Sequence, residues 1–157
     1  ATTDRIANLT KALQLRTEWK AEKLSVGFTN GCFDLLHPGH IALLREASQT
    51  CDRLIVALNT DASVRRLKGP SRPIQDENAR ADIMASIRYV DLVVTFDEDT
   101  PLQLIEALNP DVLIKGSDYQ IHEIVGADLV VANGGSVARV DLKPGHSTTN
   151  LVSKSQS

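Results

Sequence analysis

Apolar positions along the chain fall into two repeating arrangements. The runs 24–29, 54–58, 92–95, 112–115 and 137–142 are rich in Val, Ile and Leu, whereas the segments between them space their apolar residues three and four apart. Near-continuous apolar runs of this length read as strands buried on both faces, and the intervening spacing reads as helices. Five strands alternating with helical segments predict an α/β domain: a doubly wound five-stranded parallel sheet with helices on both faces. Ahead of it, Ile6, Leu9, Leu13 and Trp19 predict an amphipathic helix over 4–20, within an N-terminal helical extension covering 1–22. Asp61 and Asp76 are placed to cap the helices that follow them, Thr100-Pro101-Leu102-Gln103 reads as a capping box with proline at the first helical position, and Asn133-Gly134-Gly135 ends the last helix before the final strand. No repeat, linker or low-complexity run divides the 157 residues, so one domain spanning 1–157 is expected.

In an open sheet of this Rossmann-like kind, ligands bind beyond the carboxyl ends of the strands, where the strand order reverses. That places residues 29–40, 59–61, 115–119 and 145–150 on one edge. Composition narrows the ligand. With 42% hydrophobic and 24% charged residues the chain has the make-up of a soluble globular protein, and no apolar stretch nears the ~20 residues of a membrane span. A net charge of -3 argues against a broad nucleic-acid surface, so an anionic ligand must be met by local positive charge. Cys32 and Cys51 form no CxxC pair and read as two reduced thiols of a cytoplasmic protein.

The first sheet-edge loop, GCFDLLHPGH (31–40), contains neither GxGxxG nor GxxxxGK[ST]. Pro38 can open a helix there, with Gly39 leaving room for a phosphate at the helix start and His37 and His40 on either side. Taken alone, the pair is equally a cap (His37) and a surface residue (His40); no Cys, Asp or Glu completes a zinc ligand set, and no metal site is assigned. Arg65, Arg66, Lys68 and Arg72 put four bases within eight positions, either a solvated helix end or an arm over anionic substrates. Arg80 can join them or project into solvent.

GCFDLLHPGH resembles the HxGH signature of the nucleotidylyltransferase superfamily, and RYVD (88–91) and STTN (147–150) follow in that superfamily's order. Within it, LKGPSRPI (67–74), DEDTP (97–101), LIKGSDY (113–119), ANGG (132–135) and STTN are most similar to the adenylyltransferases that make ADP-heptose, over roughly residues 24 to 152. The resemblance implies transfer of AMP from ATP to D-glycero-β-D-manno-heptose 1-phosphate with release of pyrophosphate, for the lipopolysaccharide inner core. Many relatives carry the unit behind a sugar-kinase domain. No kinase-sized segment is present here, so the stand-alone form with a separate upstream kinase is expected. A homodimer or higher homo-oligomer is also expected.

By the same resemblance, the catalytic candidates are His37, His40 and Lys68. Nucleotide contacts are assigned to Thr29, Asn30, Gly31, Cys32, Phe33, His37, Gly39, His40, Arg88, Gly116, Ser147, Thr148 and Thr149, with Arg88 and Asp91 alternatively serving structure or a dimer contact. Acceptor contacts are assigned to Asp34, Asn59, Asp61, Lys68, Arg72, Arg80, Lys115 and Asp118. A phosphate monoester with a second pKa near 6 is already mostly a dianion at neutral pH, so the chemistry asks for positioning and charge stabilisation rather than a general base. Mg²⁺ is expected to arrive on ATP. Two alternatives stay open: a cytidylyltransferase acting on glycerol 3-phosphate or a similar alcohol phosphate, and a nucleotide-binding module without turnover.

Overall fold

The structure, a computed structural model, describes residues 2–141. In chain order it contains β1 (Ile6–Ala7), α1 (Leu9–Ala21), β2 (Val26–Gly31), α2 (Pro38–Gln49), β3 (Arg53–Asn59), α3 (Asp61–Lys68), α4 (Glu77–Ala85), β4 (Leu92–Phe96), α5 (Leu102–Leu108), β5 (Val112–Gly116), α6 (Ala127–Ala132) and β6 (Ser136–Val140). The strands form a single sheet in the order β1-β4-β3-β2-β5-β6, every pair parallel. The expected doubly wound class is correct, with six strands among the described residues where five were expected. The extra one is β1, which pairs Ile6 with Val93 and Ala7 with Val94 along the edge of β4.

Alternation along the strands sends side chains to both faces. Ile55 and Ala57 of β3 pack with Phe28, Leu104, Ile105 and Leu108 beneath α1 and α5. Leu54, Val56 and Leu58 pack with Leu44, Ala47, Met84 and Ala85 beneath α2 and α4. The expected helix over 4–20 is shorter, because Ile6 is drawn into the sheet and Asn8 caps α1 by accepting the Lys11 N–H. Its buried face is also displaced: Ala12, Leu15, Arg16 and Trp19 face inward, while Leu9 and Leu13 are exposed. Arg16 is on that face because it closes the next layer. Its guanidinium donates to Leu108 O (3.1 Å) and Asn109 O (2.9 Å) at the end of α5 and pairs with Asp111 at 3.3 Å, the favourable place for a cation.

Of the expected caps, Asp76 accepts the Ala79 N–H as anticipated, and α6 ends at Asn133 with Gly134 at φ +88. At α3 the cap is Thr60 and not Asp61, leaving Asp61 in the first turn and able to pair elsewhere. The capping box at 100–103 does not form. Pro101 itself occupies the cap position, so the Thr100 hydroxyl stands one place too early and reaches Leu102 N only at 3.5 Å.

Candidate active site

From β2 the chain steps outward to β3 and β4, then crosses back to lay β5 against the other side of β2, so the strand order reverses between β2 and β5. These two strands pair only at Gly27–Val112 and Phe28–Leu113, although both run on toward the carboxyl edge. They part there, and the opening is a cavity of ≈ 220 Å³. Its walls carry Asn30, Gly31, Cys32, Phe33, Asp34, His40, Lys68, Arg72, Lys115, Gly116 and Asp118, eleven of the candidates, drawn from four separate stretches of sequence. Leu35, Leu43 and Tyr119 complete the lining without having been singled out; Leu35 lies within the quoted GCFDLLHPGH and Tyr119 ends the quoted LIKGSDY, whereas Leu43 carried no signal.

The loop after β2 is held in an uncommon backbone shape. Phe33 has φ +48, a conformation that costs a bulky residue on the order of 1–3 kcal/mol. It places the ring against the backbone of Gly31, where a Cβ would sit 2.8 Å from it, and edge-on to His40 with centroids 5.2 Å apart. Pro38 opens α2 as expected, and His37 caps it by accepting the Gly39 N–H at Nδ1 (3.1 Å). The cap and phosphate readings of His37 are therefore compatible: with Nδ1 occupied, the neutral ring carries its proton on Nε2. His40 stacks on it at 3.8 Å with the planes 28° apart, so it is no surface residue. Burial first, then the electrostatic influence of the neighbouring His37 and Lys68, lowers its pKa to about 4, leaving the ring neutral at pH 7. His40 Nδ1 is buried with no partner among the described residues. An unpaired acceptor costs less there than an unpaired N–H, which puts the His40 proton on Nε2 as well.

Opposite the histidines, Asp34 is almost fully buried and committed within the protein. It accepts from Arg72 Nε (2.8 Å), Ile74 N (2.7 Å) and Gln75 N (2.9 Å). Burial pushes its carboxyl up, but the N–H groups of Gln75 and Ile74 and the Arg72 guanidinium outweigh that and hold it below the usual range. Asp34 is thus a tether for the segment after α3 rather than an open acceptor contact. Arg80 is likewise corrected. It is fully buried, neither in solvent nor in the cavity, and donates to Cys32 O (2.9 Å), Asn59 O (2.8 Å), Gln75 O (3.0 Å) and Asp61 Oδ1 (2.9 Å). Asp61 is thereby engaged. Asn59 is buried too, donating to Ser63 Oγ (3.1 Å) and accepting from Cys32 Sγ at 3.6 Å. These three support the cavity from below.

Lys115, at the end of β5, reaches across the gap to donate to Asn30 O (2.9 Å), with its ammonium 5.3 Å from the Tyr119 ring centroid. Desolvation lowers its pKa to about 8, against a smaller opposing pull from Asp118. Thr29 is buried in β2 with its hydroxyl unpartnered among the described residues, so only its backbone borders the loop. Arg88 does not reach the cavity: it precedes β4, at the amino edge of the sheet, and lies over the Tyr89 ring. Arg65 is exposed on α3, and Arg66 is paired with Asp99 at 2.9 Å. Ser147, Thr148 and Thr149 fall outside the described residues. Cys32 and Cys51 are both free thiols. Among the described residues no group of three His, Cys, Asp or Glu could hold a metal ion, and the Asp34 carboxylate, which shares the cavity wall with His40, is already tied down.

A family model described as cytidylyltransferase-like matches residues 28–153. The chain belongs to the cytidylyltransferase-like family. Among curated relatives, it is 60% identical to the bifunctional protein HldE of Caulobacter sp. (strain K31) over 96% of this chain and 31% of that protein. It is 65% identical to that of Azorhizobium caulinodans over 88% of this chain and 29% of that protein. The chain therefore spans about a third of the length of the curated relatives it matches. A crystal structure of a lipopolysaccharide core biosynthesis protein from Thermoplasma volcanium superposes with a TM-score of 0.62 at 28% identity, over 76% of this chain and 97% of that one. A pantoate-beta-alanine ligase from Francisella tularensis shares the fold at 17% identity and a TM-score of 0.63, over 88% and 67% of the two chains. In this cytidylyltransferase-like domain, the crevice between β2 and β5 lies where the strand order reverses, the place at which open α/β sheets bind their ligands.

Proposed function

We propose that this domain transfers the adenylyl group of ATP to D-glycero-β-D-manno-heptose 1-phosphate, giving ADP-heptose for the lipopolysaccharide inner core and releasing pyrophosphate. The observation that carries the reading is the cavity itself: in a chain of net charge -3 it collects His40, Lys68, Arg72 and Lys115 around one opening beside the start of α2. Such a site suits two phosphate-bearing substrates. An oxygen of the sugar phosphate attacks the α-phosphorus of ATP, the new P–O bond forms as the bond to pyrophosphate breaks, and no proton has to be removed from the dianionic nucleophile. His37 and His40 offer Nε2–H donors to the α-phosphoryl oxygens and the leaving group, and Lys68 and Arg72 offset the remaining charge. Mg²⁺ would ride on the triphosphate, since the described side chains supply no cage for it. Similarity to the HldE proteins supports the heptose acceptor. Those proteins are bifunctional, so the kinase step that supplies the acceptor belongs either to further sequence on the same polypeptide or to a separate enzyme. Self-association is assigned by resemblance alone.

The test is pyrophosphate release with ATP or CTP against heptose 1-phosphate or glycerol 3-phosphate. Turnover is expected with ATP and heptose 1-phosphate. Preference for CTP with glycerol 3-phosphate would establish the cytidylyltransferase alternative, and tight ATP binding without release from any pair would establish the non-catalytic one.

A further inference from the structure

A second cavity, of ≈ 190 Å³, lies on the other side of Lys115. Both cavities have Asn30, Lys115 and Tyr119 in their walls, so the Lys115–Asn30 hydrogen bond is the partition between them. They open to opposite faces of the sheet. The first rests on Phe33 and Leu43, which pack beneath α2 and α4, whereas the second rests on Ile124, which packs with α5 and α6. Each alone is smaller than the ~300 Å³ at which small-molecule pockets usually begin, and a transferase must seat two molecules at once.

The chemistry of the two walls differs. The first is cationic. The second has Lys115 as its only cation among the described residues and carries Asp99, Thr100 and Glu123 beside the apolar surface of Pro101 and Ile124. Asp99 receives Arg66 on Oδ1 and Glu123 receives the Gln120 N–H on Oε1 (3.0 Å). The other oxygen of each carboxylate has no donor among the described residues. A triphosphate would be repelled by this wall, while an uncharged polyol finds acceptors for its hydroxyls and an apolar floor for its ring carbons.

We propose that the second cavity is the acceptor subsite: it seats the sugar ring, with Asp99, Thr100 and Glu123 taking its hydroxyls, while Lys115 meets the sugar's phosphate at the partition and turns it toward ATP in the first cavity. This rests on the adenylyltransferase reading above and adds the residues that select the acceptor. Lys115 is suited to the boundary, because a buried ammonium with one carbonyl partner gains most from a second, anionic one.

The experiment is steady-state kinetics of Glu123→Ala, Thr100→Val and the double variant, varying each substrate at saturating levels of the other, with a thermal melt to confirm folding; both side chains are exposed and removable. The expected result is a KM for heptose 1-phosphate raised about tenfold in the double variant, with KM for ATP unchanged. A KM for ATP that rises in place of the sugar's, or no change in either, overturns the subsite while leaving the function intact. A wild-type protein that is inactive with ATP and heptose 1-phosphate overturns the functional reading and the subsite with it.

Discussion

The loop from β2 to α2 and the segment 69–76 after α3 line the same cavity but are held in different ways. The first is set by packing and backbone: Phe33 at positive φ, a histidine cap, and two stacked rings over the hydrophobic layer of α2. The second follows the exposed basic end of α3 and is fastened by charge, through the buried Asp34 carboxylate and its three donors. Beneath both runs Arg80, which joins Cys32 of the loop to Gln75 of the segment and to Asn59 at the end of β3. Under the proposed function, the histidine donors are thus held on the side set by packing, and Lys68 and Arg72 on the side that a single carboxylate tethers.

Removing the shared support should have the largest effect. Arg80→Leu leaves three carbonyls and the Asp61 carboxylate without their donor, and a loss of about 3–5 kcal/mol is expected in chemical denaturation; unchanged stability would show that the two regions are independently held. His40→Ala breaks only the side set by packing. Turnover should fall on the order of 10²–10³ with the fold intact, and near-normal pyrophosphate release would remove the ring from the mechanism. The same ring carries a pH signature. It is neutral in the folded protein down to about pH 4, whereas the unfolded chain takes up the proton near 6.5, so stability falls as pH drops from 6.5 toward 4. His40→Ala should flatten that slope.

Asp34→Asn breaks the charge-fastened side. A rise of about tenfold in KM for ATP is expected, together with faster tryptic cleavage after Lys68; a tenfold loss of kcat at constant KM would instead place Asp34 with the histidine donors. Lys115 sharpens the comparison by titration. With its pKa lowered to about 8, the amine loses its charge above that pH, so kcat/KM for the sugar phosphate should decline there, and Lys115→Arg should move the decline to higher pH. The smallest effect belongs to Arg66→Ala, which removes the exposed pair with Asp99 and should leave the denaturation midpoint essentially unchanged.

Much of this was legible in the chain. The alternation of apolar runs with helical spacing determined the layered parallel sheet, and with it the edge on which a ligand must sit, because burial on both faces requires continuous hydrophobicity. Pro38 and the flanking histidines likewise marked the start of α2, since capping is local chemistry. What β1 would do was hidden, as two residues carry no period and join the sheet only because β4 offers an edge. The division of labour among the charged residues was hidden for the same reason. Asp34, Asp61 and Arg80 are as fully charged in the sequence as Lys68 and Lys115, but only the tertiary packing decides that Asp34 is taken up by Arg72 and the N–H groups of Ile74 and Gln75, and that Arg80 is taken up by Asp61 and three backbone carbonyls. Charge is written in the sequence; whether it is free to meet a substrate depends on which partners the tertiary structure buries beside it.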